Sequence, residues 1–293
     1  MGTLRRLQPV AAALLLASLL SACASLASTR RVVLRRHKPV APSSPALQSA
    51  SAEDLNAIIA RTYDGIHSFA ASINLAPSAG SIDRGRIVDY PPLSGQIVFR
   101  KPNDIRVRAS LPVVGTLAFD MAANDSTFRV NRENREFITG LNSAPAHSRN
   151  KIENLRPQAF LSSILIHPWD RTTETVMLKD DTDEEGALYR LEFNARSVNG
   201  GPVADREVWF DREDLSIVRQ KVYDAAGAIV SDTSYSSWKN FNGVPFPSRI
   251  DINRRMDEYG VTIEIRRMQM NAEIAPGRFD LPQPPGARLR VIE

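Results

Sequence analysis

Reactive side chains are sparse in these 293 residues, and one stands apart. Cys23 is the only thiol, and it sits in "LLASLLSACASLAS", Leu15–Ser28, directly after the apolar run Ala11–Leu20. A lone thiol cannot close an internal disulfide, and it has no second cysteine with which to build a thiolate metal site. Covalent attachment of another group to sulfur is the chemistry left to it. The remaining candidates are weaker. His37, His67, His147 and His167 are scattered without ligand spacing. H-E-x-x-H, G-x-S-x-G and a phosphate-cradling glycine loop are all missing. The acidic run "DDTDEEG", Asp180–Gly186, holds oxygens suited to a hard cation. It lacks the alternating ligands of a calcium loop and reads better as a solvated hairpin turn. Trp169, Trp209 and Trp238 read as core or cavity wall, not as a stacking platform. These residues predict a non-enzyme with no cofactor and no metal.

Three zones lead to the thiol. Arg5 and Arg6 make a basic start, Ala11–Leu20 is apolar, and Leu20-Ser21-Ala22 is a small-residue approach. That is the layout of an export signal with a cleavage site. The run is too short for a spanning helix, which needs about twenty apolar residues. Leu20-Ser21-Ala22-Cys23 resembles the lipobox of bacterial lipoproteins. The resemblance implies a lipid on Cys23 and cleavage before it, with residues 1–22 as the signal peptide. The alternatives are an ordinary secretory signal with an incidental cysteine, or a short anchor helix. One acyl chain holds a protein only marginally, whereas two or more anchor it stably. In that family an Asp after the cysteine retains the protein in the inner membrane. Ala24 and Ser25 stand here, which implies the outer membrane, periplasmic face.

The net charge of +4 belongs to this front end. Residues 1–52 carry seven Lys and Arg and no acids, which leaves 30 basic and 33 acidic residues beyond them. A net of −3 on the folded part disfavours nucleic acid, whose binders carry a basic footprint of their own. Residues 23–50 read as a tether. The block "RRVVLRRHK", Arg30–Lys38, precedes a Pro/Ser/Ala-rich stretch with little to bury. As a flexible coil the tether spans about 30 Å root-mean-square. Its cations either meet anionic headgroups or simply solvate a spacer.

Residues 51–293 form the expected domain. Ser51 and Asp54 suggest an imperfect capping box, and Leu55, Ile58, Ile59, Tyr63 and Ile66 share a helix face. The period then switches to two. Strands are expected at Phe69–Leu75, Leu93–Arg100, Ile105–Leu111, Leu117–Met121, Phe128–Val130 and Phe137–Ile138. "NLRPQAFLSSIL" predicts a second helix, with Pro157 in its first turn and Phe160, Leu161, Ile164 and Leu165 on one face. Strands resume at Thr175–Lys179, Leu188–Phe193, Glu207–Asp211, Ser216–Tyr223, Ile229–Trp238, Ser248–Arg254 and Val261–Met270. The tail "FDLPQPPGARLRV" is expected to lie extended along an edge. The fold class is mainly β (α+β). It is an open antiparallel half-barrel of about eleven or more strands with a lid of two amphipathic helices.

This order, with "VWFDREDLSIVRQKVYD" and "FNGVPFPSRIDI", resembles the LolA/LolB-like lipoprotein-carrier superfamily. The resemblance covers Ser51 to about Leu289 and implies an unclosed half-barrel with a helical lid over an apolar cavity. An anchored chain is more similar to the membrane-bound acceptor than to the soluble carrier. Acceptors engage the membrane through an apolar loop between two early strands. "LPVVGT", Leu111–Thr116, occupies a similar place and makes Leu111, Val113 and Val114 membrane-contact candidates. The alternative is a corner buried beneath the lid. In the soluble carrier an interior arginine hydrogen-bonds the lid. Alternation instead points Arg106 and Arg108 outward into solvent.

The expected function is binding of acyl chains or lipoproteins in the cavity, for transfer to the outer membrane. Expected wall residues are Ile97, Phe99, Val107, Leu117, Phe119, Phe128 and Val130, each of which could equally be plain core packing. The expected partners are the membrane, through the lipid, and an acyl or lipoprotein cargo. The alternative is an envelope-stress regulatory or structural lipoprotein that binds a protein partner with the same fold.

Overall fold

The computed structural model describes residues 46–81, 86–142, 157–184, 186–196 and 203–292. Cys23, the signal segment and most of the tether lie outside the described residues. The compact unit begins at Ala46, ahead of the helix cap. Gln48 accounts for the earlier start. Its backbone N–H donates to the carbonyl of Arg212 at 2.7 Å, and its side chain donates to that of Glu213.

Helix α1 runs Ala52–Gly65. The Ser51 hydroxyl accepts from the Asp54 N–H, and the Asp54 carboxylate accepts from the Ser51 N–H at 2.9 Å, so the capping box is complete. Then come β1 Ser68–Ser81, β2 Arg86–Asp89, β3 Leu93–Arg100, β4 Asp104–Ser110, β5 Leu117–Ala123, β6 Thr127–Arg132 and β7 Glu136–Leu141. Helix α2, Pro157–Ile164, interrupts the strands. They resume as β8 Glu174–Asp180, β9 Leu188–Ala195, β10 Val203–Asp211, β11 Ile217–Tyr223, β12 Ile229–Phe241, β13 Val244–Arg254, β14 Tyr259–Met270 and β15 Arg288–Ile292. Asn242 and Gly243 both take positive φ between β12 and β13, as a two-residue hairpin loop requires.

All fifteen strands form one sheet, ordered β15-β7-β6-β5-β4-β3-β1-β14-β13-β12-β11-β10-β9-β8, with β2 beside β1. Every pairing is antiparallel except β15 with β7. The thirteen strands read from alternation are all present. The two additions are β2, between the expected strands Phe69–Leu75 and Leu93–Arg100, and β15, at the end of the proline-rich tail.

The sheet must curl. Helix α2 has eight residues, about 12 Å of helix. It touches β4 and β5, and its Ser163 also reaches Tyr235 on β12. Six strand spacings separate β5 from β12, about 29 Å if flat. One short helix spans that gap only across a concave surface.

The two faces differ in chemistry. The inner face is apolar: Phe69, Ile73, Phe99, Val107, Phe193 and Ile250 belong to one buried cluster that includes both helices. The outer face is ionic. The segment after β14 crosses it as a strap, through a short 3-10 turn at Pro276–Phe279. Leu281 and Ala287 bury against Ala122 and Phe137, and β15 then pairs along β7. Arg106 points outward as alternation requires, but it is not solvated. It grips Asp120 at 2.8 and 2.9 Å and donates to strap carbonyls at Arg278 and Asp280. Arg108 faces solvent. Trp209 is buried, but apart from the main apolar cluster, beneath Arg190, Arg219 and Lys221. The described residues of the Asp180–Gly186 run lie between β8 and β9, where Asp180 pairs with Arg212 and Asp181 with Arg190. Among the described residues no group of three or more His, Cys, Asp or Glu side chains gathers as a metal site.

Candidate functional site: a lidded apolar face and an exposed loop

The inner face is closed in this arrangement, which corrects the expectation of an open cavity. Ile97, Phe99, Val107, Phe128 and Val130 are all 2% exposed or less beneath the lid. Leu117 and Phe119, near the loop end of β5, are only half-buried. Among the described residues the apolar pocket lined by both helices is about 20 Å³, enough for one water and far too small for an acyl chain. Its walls include Ile59, Tyr63, Leu165, Tyr235, Trp238 and Phe246. Strict alternation would turn Trp238 away from Tyr235. Ser237 takes φ 56°, which breaks the alternation, and Trp238 joins Tyr235 on the same cavity wall. Its indole N–H donates to the Ile217 carbonyl at 3.0 Å.

The two lid helices are held differently. α1 is tied at its end by backbone bonds. Asn271 accepts from the His67 N–H at 2.8 Å and donates to the Gly65 carbonyl at 2.7 Å. Lys101 donates to the Tyr63 carbonyl at 2.6 Å. α2 rests on Phe160, Leu161 and Ile164 and on a polar seam inside the apolar interior. The Tyr235 hydroxyl lies 2.8 Å from the Ser163 carbonyl and 2.9 Å from the Gln220 side chain. Ser231 and Thr233 continue the seam on β12. Burial holds the Tyr235 phenol far above its ordinary pKa, so it stays a neutral hydroxyl.

The segment leaving α2 is riveted by charge. Arg206 on β10 and Glu174 on β8 are 8% and 9% exposed and form an ion pair, with the guanidinium 4.0 Å over the Phe193 ring. Arg206 also reaches the carbonyls of His167 and Pro168, and Glu174 accepts from the Asp170 N–H at 3.0 Å. His167 stacks on Tyr63 at 4.7 Å. Burial, with Arg206 and Lys101 nearby, lowers its pKa below the ordinary value. Sequence reading missed Arg206 because the strand was begun at Glu207. The signal was present: Arg206, Val208 and Phe210 share one parity, so Arg206 had to face inward.

The other element is the β4–β5 corner. Val113 is fully exposed and Val114 is 70% exposed, while Leu111 is half-buried against the core. Val113 also takes φ 71°, a strained conformation for a β-branched residue. The corner is closed by Gly115 N–H to the Leu111 carbonyl at 3.0 Å and Leu111 N–H to the Thr116 carbonyl at 2.9 Å. A buried corner is excluded for Val113 and Val114.

A cleft of about 630 Å³ lies over Ser78, Ser234, Asp251 and Thr262 on the outer face, with mixed walls that also include Ile87, Ile252 and Val261.

The sequence matches no protein-family model and no curated protein. Solved structures share the fold. A DUF1329 family protein from Desulfovibrio piger aligns over 79% of this chain and 98% of its own, at 13% identity and a TM-score of 0.52. A LolA superfamily protein from Nitrosomonas europaea aligns over 80% and 99%, at 11% identity and a TM-score of 0.50. A domain described as an outer membrane lipoprotein-sorting protein from Vibrio parahaemolyticus aligns over 77% and 94%, at 9% identity and a TM-score of 0.50. At these identities the likeness is one of fold: an open, mostly antiparallel sheet with a helical lid.

Proposed function

We propose that this chain is a lipid-anchored periplasmic protein, held at the outer membrane through Cys23, that takes acyl chains, free or on a lipoprotein, between its sheet and lid. One observation carries the reading: a wide apolar sheet face is covered by a short helix that docks through a polar seam as well as packing. A sealed core would not need Tyr235, Gln220, Ser231 and Thr233 beneath α2. A lid that lifts does, because these groups can exchange partners with water when it opens. Each methylene buried in place of α2 contributes about 0.8 kcal/mol, so a fatty acyl chain can offset the apolar contacts that the helix gives up. The exposed Val113–Val114 tip supports membrane engagement by the same molecule. The shared fold with a LolA superfamily protein and a described lipoprotein-sorting domain supports a carrier and not an enzyme.

The test is native mass spectrometry of the full chain extracted from membranes, paired with titration of a fluorescent fatty acid. The expected result is co-purifying acyl cargo and saturable probe binding that a disulfide locking α2 to β12 abolishes. A chain that holds no lipid and binds no probe fails as a carrier, and the partner-binding scaffold then stands.

A further inference from the structure

Arginines crowd the outer face, and most have a carboxylate. Arg100 pairs with Asp104, Arg190 with Glu207, Arg219 with Asp232, and Arg249 with Asp251 and Glu264. Among the described residues Arg108 and Arg278, like Arg129 and Arg267, have none, and Arg108 and Arg278 share one cleft. Among the described residues neither of these two guanidinia has an acidic partner or a hydrogen bond. Both line a cleft of about 290 Å³ whose other walls are Gln96, Val98 and Arg106.

The backbone that carries each cation is held in place. Arg108 is fixed on β4, two residues beyond Arg106 on the same outward side. Arg278 belongs to the strap, and Arg106 anchors that strap by donating to the Arg278 carbonyl at 3.1 Å and to the Asp280 carbonyl at 2.9 Å. The nearby acids are otherwise engaged or face elsewhere. Asp120 is taken by both forks of Arg106, and Asp280 lines a separate cleft with Arg100 and Phe279. Behind the two free guanidinia lies Val98, 5% exposed, which lowers the local dielectric. Two like charges beside an apolar wall are unfavourable alone and favourable around an anion. Guanidinium forks match phosphate oxygens, and the Gln96 amide can add a donor.

Position selects the source of the anion. Arg108 precedes Leu111 by three residues, about 10 Å of strand, so the cleft opens near the end of the sheet that carries Val113 and Val114. Arg135, whose side chain is 86% exposed, and the exposed Arg288 are at that end too. We propose that Arg108 and Arg278, with Gln96, form a phosphate site, and that the phosphate belongs to an anionic lipid headgroup met when the valine tip enters a bilayer. The headgroup assignment rests on the membrane reading above; the phosphate site does not.

The experiment uses the full chain in non-ionic detergent micelles, titrated calorimetrically with inorganic phosphate and with short-chain phosphatidylglycerol. Both should bind saturably. Arg108→Gln/Arg278→Gln should weaken both by roughly tenfold or more, with an unchanged melting temperature, and Arg249→Gln should not weaken them. Absence of saturable binding, or equal binding by the double variant, overturns the site. Partition onto phosphatidylcholine vesicles with and without phosphatidylglycerol tests the source. The double variant should lose the preference for phosphatidylglycerol. If it keeps that preference while losing phosphate in micelles, the headgroup assignment falls. Val113→Asp separates the two readings: it should abolish tip insertion while phosphate binding in micelles persists.

Discussion

The hydroxyl of Tyr235, on strand β12, sits 2.8 Å from the backbone carbonyl of Ser163 in the last turn of α2. Helix ends leave carbonyls without intrahelical donors, and Tyr235 supplies one from the opposite wall. The bond therefore joins lid to sheet. Tyr235→Phe keeps the ring and removes only the donor. It should cost about 1 to 3 kcal/mol in denaturant unfolding, because a buried acceptor loses a partner. Amides of α2 should exchange faster and the acyl probe should bind faster. An exchange rate unchanged from wild type would show that the lid does not hang on this bond.

Val113 should answer differently to two substitutions. Val113→Gly relieves the positive φ, so stability should hold or rise by up to about 1 kcal/mol, while partition onto vesicles falls. Val113→Ile should keep both the strain and the partition. Thermal melts and vesicle sedimentation of the full chain measure the pair.

Wall positions should separate by depth. Phe128 is fully buried, so Phe128→Ala should cost about 3 to 5 kcal/mol. Phe119 is half-buried and lacks packing on one side, so Phe119→Ala should cost less, about 2 kcal/mol at most. Equal losses in urea titrations would mean that Phe119 is packed as tightly as Phe128.

The rivet beside the lid should be intolerant of half-removal. Glu174→Ala leaves the buried Arg206 guanidinium with only the more exposed carboxylate of Asp205, a loss of about 3 kcal/mol. Replacing both, as Glu174→Leu/Arg206→Met, should recover much of it. A double variant as unstable as the single one would show that the charges themselves are needed to fix the segment after α2.

Acid should loosen the same corner. His167 faces Tyr63, Arg206, Lys101 and Glu174, and its folded pKa lies below the ordinary value of 6.5. The unfolded chain then binds the proton first. Stability is full above about pH 6.5 and declines as pH falls from there toward the lowered pKa. His167→Gln should flatten that part of the profile in melts between neutral and mildly acidic pH. A variant with the wild-type slope would assign the decline to other groups.

Much of this molecule was legible as pattern. Period-two alternation gave Ile105, Val107 and Ala109 their inward faces and Arg106 and Arg108 their outward ones, because successive strand residues point to opposite sides. Ser51 and Asp54 announced the start of α1, because capping is local chemistry. The single Cys23 and its setting carried the expectation of lipidation without any fold at all. What pattern could not decide was whatever joins distant segments. Arg206 meets Glu174 across 32 residues, Tyr235 meets Ser163 across 72, and Arg106 meets the Asp280 carbonyl across 174. Whether the apolar face stands open or is filled by α2 is likewise a property of the curl that brings β5 and β12 to one short helix. Alternation names the face of a strand; only the closed sheet determines which distant group shares it.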